Sequence, residues 1–401
     1  MKTPELLAPA GNFEKLRTAL HYGADAVYMG LSEFSLRAKA DNFSLDELEH
    51  VSRLIHQSGR KMYITVNIFP HNNDIALIKE HLTSLKGINP DAIIVSDPGV
   101  FELAGETIPE IPIHVSTQAN ITNFRSAQFW ERLGAKRLVL SRELTIDEIR
   151  EIRDRVSLEL ECFVHGAICI SYSGRCYISS FLTNRSANRG ECTNSCRWNY
   201  VLMEESREGK YLPVHEDKKG TYVLSSKDLC MIEHLDKLAD AGIDSFKIEG
   251  RMKGINYVAG VVKTYREAID SLVCRPYELK KQWLEELSMI SNRGYTTGMF
   301  LDKHPDNGYN HDDEKAYRMS HELVGVVKTV SDGKAIIALR NNLKIGDSIE
   351  FLSAGLENSS YTVSELFDQN GNPVESGHNE EILIIPVQNG IRESDLIRRA
   401  L

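Results

Sequence analysis

The chain has 401 residues, of which 42% are hydrophobic and 26% charged, a composition typical of a folded protein with more than one domain. Its formal net charge of −10 argues against a protein that coats nucleic acid nonspecifically, because such proteins are usually basic. No apolar run approaches the length that a bilayer requires, and the first residues lack the apolar core of a signal peptide. We therefore expect a cytoplasmic protein with reduced thiols and with neither a membrane nor a DNA partner.

Short apolar runs alternate with helical patterns over the first part of the chain, at the spacing of βαβ units. Eight runs have the continuous apolar character of parallel strands buried on both faces. The predicted strands are Glu5–Pro9, Ala26–Gly30, Lys61–Asn67, Ala92–Ser96, Ile113–Thr117, Arg137–Ser141, Leu158–Val164 and Ser245–Glu249. Amphipathic stretches such as Ser44–Ser58, Thr145–Arg155 and Leu229–Ala241 are predicted helices, and the first two begin with capping-box spacing. The predicted fold class is α/β, a (β/α)8 TIM-barrel-like domain; a doubly wound sheet would give a similar pattern.

One long segment, Gly166–Leu229, has no periodic apolar pattern and interrupts the alternation after the seventh predicted strand. A long non-periodic segment inside a folded domain is usually functional. We predict that residues 166–229 form an insertion on the C-terminal face of a barrel domain that spans 1–275. Within it we expect a hairpin of Tyr200–Glu205 with Thr221–Ser225.

The pattern changes after this domain. Residues 276–318 are predicted to be a helical or irregular linker, and 319–401 contain short β-type runs separated by turn signals such as Ser331-Asp332-Gly333. The predicted strands here are Leu323–Val330, Lys334–Leu339, Asp347–Leu352, Tyr361–Leu366 and Glu381–Val387. We therefore predict a small C-terminal all-β barrel domain over 319–401.

Five of the seven cysteines lie within 62 residues, in and just after the insertion. They are Cys169, Cys176, Cys192, Cys196 and Cys230. Thiols grouped in this way in an intracellular protein are usually metal ligands, and the long gaps fit an iron–sulfur cluster better than zinc, which favours two closely spaced pairs. The CxxxCxxC run of radical enzymes that cleave S-adenosylmethionine lacks its third cysteine here. The alternative is that a cysteine is a small buried apolar group. The remaining Cys162, in a predicted strand, and Cys274, at the end of a predicted helix, are predicted to be structural.

Polar side chains cluster at the predicted C-terminal ends of the strands, where a barrel of this kind carries its chemistry. They are Asn67, Ser116, Gln118, Arg142, His165, Lys247, Glu249 and Arg251. Among them, His165, Lys247 and Glu249 are candidates for catalysis, although ion pairs or a hydrogen-bonded loop histidine would explain them equally. Local contact with RNA would need a basic patch, since the chain is acidic. The candidates for that patch are Arg185, Arg189, Arg197, Lys247, Arg251 and Lys253.

Motifs of common hydrolases and nucleotide-binding proteins are missing from the sequence: there is no GxSxG, HExxH, P-loop or GxGxxG. Instead, Glu161–Ser179 resembles the signature of peptidase family U32, E-x-F-x-x-G-[SA]-aliphatic-C-x4-G-x-C-x-aliphatic-S, at every constrained position. Asn188–Trp198, Ser226–Cys230 and Lys247–Arg251 are similar to further segments of the family. The resemblance covers essentially the whole chain and points to the branch of tRNA-hydroxylation proteins.

The resemblance implies O2-independent hydroxylation of RNA, with the tRNA wobble uridine as target, 5-hydroxyuridine as product and prephenate as oxygen donor. It also implies a [4Fe–4S] cluster. The implied ligands are Cys169, Cys176, Cys192 and Cys230, with Cys196 in reserve. In this context Arg142, Lys247 and Arg251 would bind carboxylates of prephenate or RNA phosphates, and Tyr172 would stack on a base. The alternatives are a U32-type peptidase, a hydroxylase of rRNA or of a quinone precursor, and a noncatalytic chain paired with a homologous partner subunit.

Overall fold

Parallel strands make up the first part of the structure and antiparallel strands the last part. The computed structural model describes residues 3–31, 42–169, 171–173, 176–183, 185, 187–189, 191–197, 215–217, 220–222, 226–302, 318–355, 357–387 and 389–401. Its strands are β1 Glu5–Pro9, β2 Ala26–Gly30, β3 Lys61–Val66, β4 Ala92–Val95, β5 Ile113–Val115, β6 Arg137–Val139, β7 Glu159–Ala167, β8 His215–Asp217, β9 Gly220–Tyr222, β10 Asp228–Cys230, β11 Ser245–Ile248, β12 Tyr295–Thr296, β13 His321–Ser331, β14 Lys334–Leu339, β15 Leu343–Lys344, β16 Ser348–Leu352, β17 Ser359–Thr362, β18 Ser376–Gly377, β19 Ile382–Pro386 and β20 Leu396–Ala400. Its α-helices are α1 Phe13–His21, α2 Leu45–Gln57, α3 Ile75–Ile88, α4 Pro98–Thr107, α5 Phe124–Arg132, α6 Ile146–Arg153, α7 Ile178–Thr183, α8 Leu235–Asp240, α9 Ile255–Ser271 and α10 Lys281–Met289. None of these described helices combines the length and apolar character needed to cross a bilayer.

Eight strands, β1 to β7 and β11, form a closed parallel barrel in which β11 pairs with both β7 and β1. Closure distinguishes a barrel from an open sheet, so the predicted TIM-barrel-like fold is confirmed and the doubly wound alternative is wrong. Short strands such as β2 and β4 are buried along their whole length, which explains their continuous apolar runs. Helices α2 and α6 begin with the predicted capping boxes, at Ser44 and Thr145.

The strand β7 runs three residues beyond its predicted end, because β10 pairs with it antiparallel and places Cys230 opposite His165. Strand β12 extends this edge by pairing with β10. The predicted start of the helix over Leu229–Ala241 is therefore wrong, since Cys230 lies in a strand and α8 begins only at Leu235. Long-range strand pairing has overridden the local helical pattern.

The middle of the chain differs from the prediction in two further places. The described hairpin pairs β8 with β9, whereas Tyr200–Glu205 lie outside the described residues. Segment 276–318, predicted as a linker, supplies α10 and β12, and Trp283 and Leu287 of α10 belong to the apolar core of the barrel. The described part of this segment is therefore packed against the barrel, because the apolar face of α10 is buried there. The domain boundaries themselves stay a prediction.

The C-terminal part is a six-stranded antiparallel sheet in the order β17-β16-β20-β13-β14-β19, which confirms the predicted all-β domain. Asp332 and Gly333, both at positive φ, form the predicted tight turn between β13 and β14. The strand predicted over Tyr361–Leu366 lies earlier in the chain, as β17. Strand β20 was not predicted, because Arg398 and Arg399 suggest a solvent-exposed segment.

The sheet contacts the helical layer of the barrel through polar and apolar groups. The hydroxyl of Tyr22, which caps the C-terminus of α1, donates to the Leu352 carbonyl and accepts from the Leu396 N–H at 3.0 Å. Arg398 of β20 is fully buried and is bound by Glu286 of α10. These contacts fix the C-terminal sheet against α1 and α10.

Candidate functional site

A cavity of about 180 Å³ lies among the C-terminal ends of the barrel strands and the start of the insertion. Seven of the eight residues predicted at the strand ends line it, namely Asn67, Ser116, Gln118, Arg142, Lys247, Glu249 and Arg251. Four cysteines also line it, namely Cys169, Cys176, Cys192 and Cys196. The structure thus brings most of the predicted site residues to one place, here called the cysteine pocket.

The floor of the cysteine pocket contains a buried ion pair. Lys247 donates from Nζ to Glu161 Oε1 at 2.9 Å, and the ammonium lies 4.5 Å from the ring centroid of Tyr28 and 5.4 Å from that of Phe163. Burial would raise the pKa of the Glu161 carboxyl, but Lys247 and Arg137 hold that pKa below its usual range. Glu161 is therefore charged at neutral pH and fixes the Lys247 ammonium in place.

The wall of the pocket carries two arginines. The Arg142 guanidinium lies 4.2 Å from the Phe163 ring centroid and 3.8 Å from a carboxylate oxygen of Glu249. Arg251 is buried and donates to Thr65 Oγ1 at 3.3 Å. Both guanidinium groups are held by neighbouring side chains and face a shared cavity, an arrangement that suits recognition of a carboxylate or a phosphate.

Four of the five predicted ligand candidates meet at the pocket, and Cys230 does not. Cys230 is buried in β10 with its Sγ 3.7 Å from the Tyr265 hydroxyl, and burial raises the pKa of its thiol to about 11. Among the residues that the structure describes, no three potential ligand side chains are grouped closely enough to hold a metal ion. The thiols at the pocket are donors of the kind that bind iron–sulfur clusters, but in their described positions they are separate thiols.

His165, the eighth predicted strand-end residue, lies behind the pocket wall. Its Nδ1 is 3.3 Å from the Tyr265 hydroxyl, and the rings of Tyr257 and Tyr295 pack around it. Burial lowers the pKa of His165 to about 3, so the imidazole is neutral at physiological pH. An enclosed neutral histidine is poorly placed to exchange protons with a substrate in the pocket.

Hydrogen bonds attach the cysteine-bearing segments to the barrel. The Ser173 N–H, between Cys169 and Cys176, donates to Glu143 Oε1 at 2.9 Å. The Asn188 carboxamide exchanges two hydrogen bonds with the backbone of Phe69, just beyond β3. Both segments are therefore tied to loops that follow barrel strands.

Two residues near the start of the insertion are constrained in different ways. Gly166 has φ of 109°, and a Cβ at this position would lie 2.5 Å from the Glu249 carbonyl oxygen, so only glycine fits. The Ser171 hydroxyl is buried on the pocket wall and has no hydrogen-bond partner among the described residues. It is a donor available to a thiolate or sulfide in the pocket.

The remaining predicted contact residues divide between the pocket and the surface. Tyr172 lines the pocket and is 60% exposed, so one face of its ring is open to a ligand. Arg185 is exposed, and Lys253 is bound to a backbone carbonyl outside the pocket lining. The side chains of Arg189 and Arg197 lie outside the described part of the chain.

Several lining residues were not predicted. Tyr28, Thr65 and Phe163 lie within strands, and the inward alternation of barrel strands would have indicated them. Arg293 comes from beyond the barrel strands and is held by Asp228 at 2.6 Å. No sequence signal connects Arg293 with the pocket, because only the pairing of β10 with β12 brings it there.

Relatives of this chain carry different descriptions. "tRNA hydroxylation protein P1" of Bacillus subtilis (strain 168) is 39% identical and the match covers 99% of this chain and 95% of that protein. "Collagenase" of Porphyromonas gingivalis (strain ATCC BAA-308 / W83) is 36% identical over 74% of this chain and 73% of that protein. "23S rRNA 5-hydroxycytidine C2501 synthase" of Escherichia coli (strain K12) is 39% identical over 67% of this chain and 40% of that protein.

Family models match both parts of the structure. The model described as "Peptidase family U32" matches residues 11–310, which include the barrel and the cysteine pocket. The model described as "Peptidase family U32 C-terminal domain" matches residues 319–398, which include the antiparallel sheet. With these matches over most of its length, the chain belongs to peptidase family U32.

Proposed function

We propose that this protein hydroxylates RNA without O2 and that its target is the wobble uridine of tRNA, giving 5-hydroxyuridine. The relatives named for tRNA and rRNA hydroxylation, each 39% identical to this chain, support an RNA hydroxylase. The observation that carries the proposal is the cysteine pocket, where four thiols and several cationic side chains line one cavity. This combination suits redox chemistry next to an anionic substrate.

The charge of the pocket supports prephenate, a dicarboxylate, as a co-substrate. The described lining contains four cations, Arg142, Lys247, Arg251 and Arg293, and one carboxylate, that of Glu249. Behind the lining, Glu161 pairs with Lys247 and Asp228 with Arg293, so the cations exceed the nearby carboxylates by one. The Arg142 guanidinium lies on the cavity wall and the Lys247 ammonium on its floor, so two carboxylates of one small molecule would each meet a cation. Glu249, beside Arg142, remains a candidate for the proton transfers that hydroxylation requires.

The predicted ligands of a [4Fe–4S] cluster are Cys169, Cys176, Cys192 and Cys230, with Cys196 in reserve. When bound, such a cluster would supply electron transfer or a structural anchor for the insertion. The chain's own contribution is to gather thiols at the pocket and to offer the Ser171 hydroxyl as a hydrogen-bond donor.

Contact with tRNA is supported by the rim of the pocket. The exposed ring of Tyr172 offers a stacking surface for an unpaired base, and a wobble base lies in a single-stranded anticodon loop where stacking is accessible. Arg185, exposed in the same insertion, adds a positive charge for the RNA backbone. RNA recognition would therefore depend on this local surface, because the chain as a whole is acidic.

The peptidase alternative has the family name and the collagenase relative in its favour. The described lining of the cysteine pocket contains no histidine, and His165 is enclosed behind the wall, so a nucleophile there lacks the usual base. The rRNA or quinone-precursor hydroxylase and the noncatalytic partner subunit differ from our proposal in substrate or in partner requirement. Measuring the modified products, with and without a partner protein, therefore distinguishes each alternative from the proposed function.

The proposal is tested by mass spectrometry of tRNA nucleosides from anaerobically grown cells. The strains are a deletion, the deletion with the wild-type gene, the deletion with Cys176→Ala and the deletion with Cys274→Ala. We expect 5-hydroxyuridine derivatives with the wild type and with Cys274→Ala, whose exposed thiol lies outside the pocket. We expect none with the deletion or with Cys176→Ala.

Equal tRNA profiles in all four strains would contradict the tRNA assignment. Loss of an rRNA or quinone modification in the same deletion would then identify the alternative substrate. Purified protein that modifies tRNA with no partner present would exclude the noncatalytic role. Cleavage of gelatin by anaerobically purified protein, retained in Cys176→Ala, would favour the peptidase.

A further inference from the structure

We propose that Asn188 is a positioning residue that fixes the segment bearing Cys192 to the barrel before any cofactor binds. The inference rests on the proposed cysteine site and adds a residue that is not itself a ligand. It is carried by a pair of hydrogen bonds that join two segments 119 residues apart in the chain.

The two hydrogen bonds use both ends of the Asn188 carboxamide. Nδ2 donates to the Phe69 carbonyl oxygen at 2.8 Å, and Oδ1 accepts from the Phe69 N–H at 2.9 Å. A side-chain amide that pairs with the N–H and C=O of one residue in this way forms the same hydrogen bonds as the backbone of a neighbouring β-strand. The pairing satisfies backbone groups that follow β3, and it fixes the orientation of the carboxamide because only one orientation forms both bonds.

The anchor lies at the pocket and close to the thiols. Asn188 itself lines the cysteine pocket, and it precedes Cys192 by four residues. On the barrel side, Asn67 also lines the pocket, two residues before Phe69. The bond pair therefore connects two walls of the same cavity.

A separate hydroxyl network links the segment bearing Cys192 to the first cysteine segment. The Thr193 N–H donates to Ser179 Oγ at 3.1 Å, and the Thr193 and Ser195 hydroxyls are 2.5 Å apart. Ser179 follows Cys176 by three residues and lies at the start of α7. These bonds join the segment that bears Cys192 to the segment that bears Cys176.

The chemistry of the pair is specific to asparagine. Aspartate at this position keeps the acceptor for the Phe69 N–H but loses the donor for its carbonyl. Alanine loses both bonds, and glutamine places its amide one methylene further from the backbone. We therefore expect a graded series in which Asn188→Ala has the largest effect and Asn188→Asp an intermediate one.

Two measurements test the inference on the full chain. The first is the rate at which anaerobically purified protein loses its visible cluster absorption to an iron chelator. The second is hydrogen exchange of the peptide that contains Phe69, in protein from which iron has been removed. For Asn188→Ala we expect both rates to rise about tenfold, the factor that corresponds to about 1.4 kcal/mol.

Thr183→Ala is the matched control, because among the described residues the Thr183 hydroxyl donates within α7, to the Ser179 carbonyl at 2.7 Å. It should leave both rates at the wild-type value, and the thermal unfolding midpoint should be the same in all variants. Wild-type rates in Asn188→Ala would overturn the positioning role. A lowered midpoint in Asn188→Asp as well as in Asn188→Ala would overturn it too, since it would show a general contribution to folding.

If the proposed function is wrong, the two measurements give a different result. If wild-type protein holds no iron under anaerobic conditions, the cluster proposal is wrong, and the chelator measurement is replaced by the exchange measurement. Faster exchange at Phe69 in Asn188→Ala alone would still establish the anchor, and unchanged exchange would refute it.

Discussion

Replacing Glu161 with glutamine removes the buried negative charge that holds the floor of the cysteine pocket. The Glu161 carboxylate is fully buried, accepts from Lys247 at 2.9 Å and accepts from Arg137 at 3.0 Å. Glutamine keeps the size but turns an N–H donor toward one of these two cations. Arg137 retains two other carboxylate partners at 2.6 Å, whereas Lys247 retains, among the described residues, only the faces of aromatic rings.

The expected cost follows from this burial. Breaking a buried ion pair by removing one partner costs about 3–5 kcal/mol, because the other charge stays buried. Lys247→Met should cost less, about 1.5–3 kcal/mol, because Glu161 then keeps its hydrogen bond from Arg137. The double variant should cost less than the sum of the two single variants, since it leaves no unpaired ammonium at the floor.

The pH dependence has a definite sign. The pKa of Glu161 in the folded protein is held below that of an unfolded glutamate, about 4.3. Its contribution to stability is therefore complete above the unfolded pKa and is lost as the pH falls through the folded pKa. The difference in unfolding free energy between the wild type and Glu161→Gln should be full at neutral pH and should shrink in acid.

Urea unfolding followed by tryptophan fluorescence measures these differences, because all three tryptophans precede the C-terminal sheet. Glu151→Gln is the matched control: its carboxylate is half exposed and lies 3.6 Å from Arg155 on the surface of α6. The control should change the unfolding free energy by about 0.5 kcal/mol or less. If Glu161→Gln costs no more than the control, or if its deficit grows in acid, the assigned role of the buried pair is wrong.

Three further predictions concern the pocket. Cys230→Ala should lose iron and Cys196→Ala should keep it, as measured by iron content after anaerobic purification; the reverse pattern would assign Cys196 as the fourth ligand. Tyr172→Ala should weaken tRNA binding by about 1–3 kcal/mol through lost stacking, while the exposed Phe129→Ala on α5 should not; equal affinities in a filter-binding assay would refute the stacking role. Arg142→Gln should weaken prephenate binding measured by calorimetry by about 1.5–3 kcal/mol, and unchanged affinity would remove Arg142 from the site.

The barrel was predictable because its strands are buried on both faces, so each reads as a continuous apolar run. The bounds of β1 and β2 agree with the prediction to the residue. The end of β7 was missed because the sequence after Val164 is no longer apolar, and the pairing with β10 that extends it is formed by a segment with a helical pattern. Strand β20 was missed because Arg398 is charged yet fully buried against a carboxylate of α10.

The pocket was predictable to the extent that it is built from strand ends. The rule that parallel strands place their C-terminal residues at one face located Arg142, Lys247 and Glu249 together. Residues contributed by other segments had no such signal. Asn188 and Arg293 reach the pocket through contacts with distant parts of the chain, which no local pattern encodes.

The position of Cys230 decides which set of thiols a cluster would use. Cys230 lies in a regular strand beside His165, so its backbone is fixed, and its thiol contacts the Tyr265 hydroxyl instead of the cavity. Ligation by Cys230 therefore requires its side chain to leave Tyr265 or the cysteine-bearing insertion to move toward β10. Ligation by Cys196 requires no change in the barrel, because that thiol already lines the pocket. The family resemblance favours Cys230, whereas Cys196 lies at the pocket, so the iron contents of the two alanine variants show which of the two thiols is a ligand.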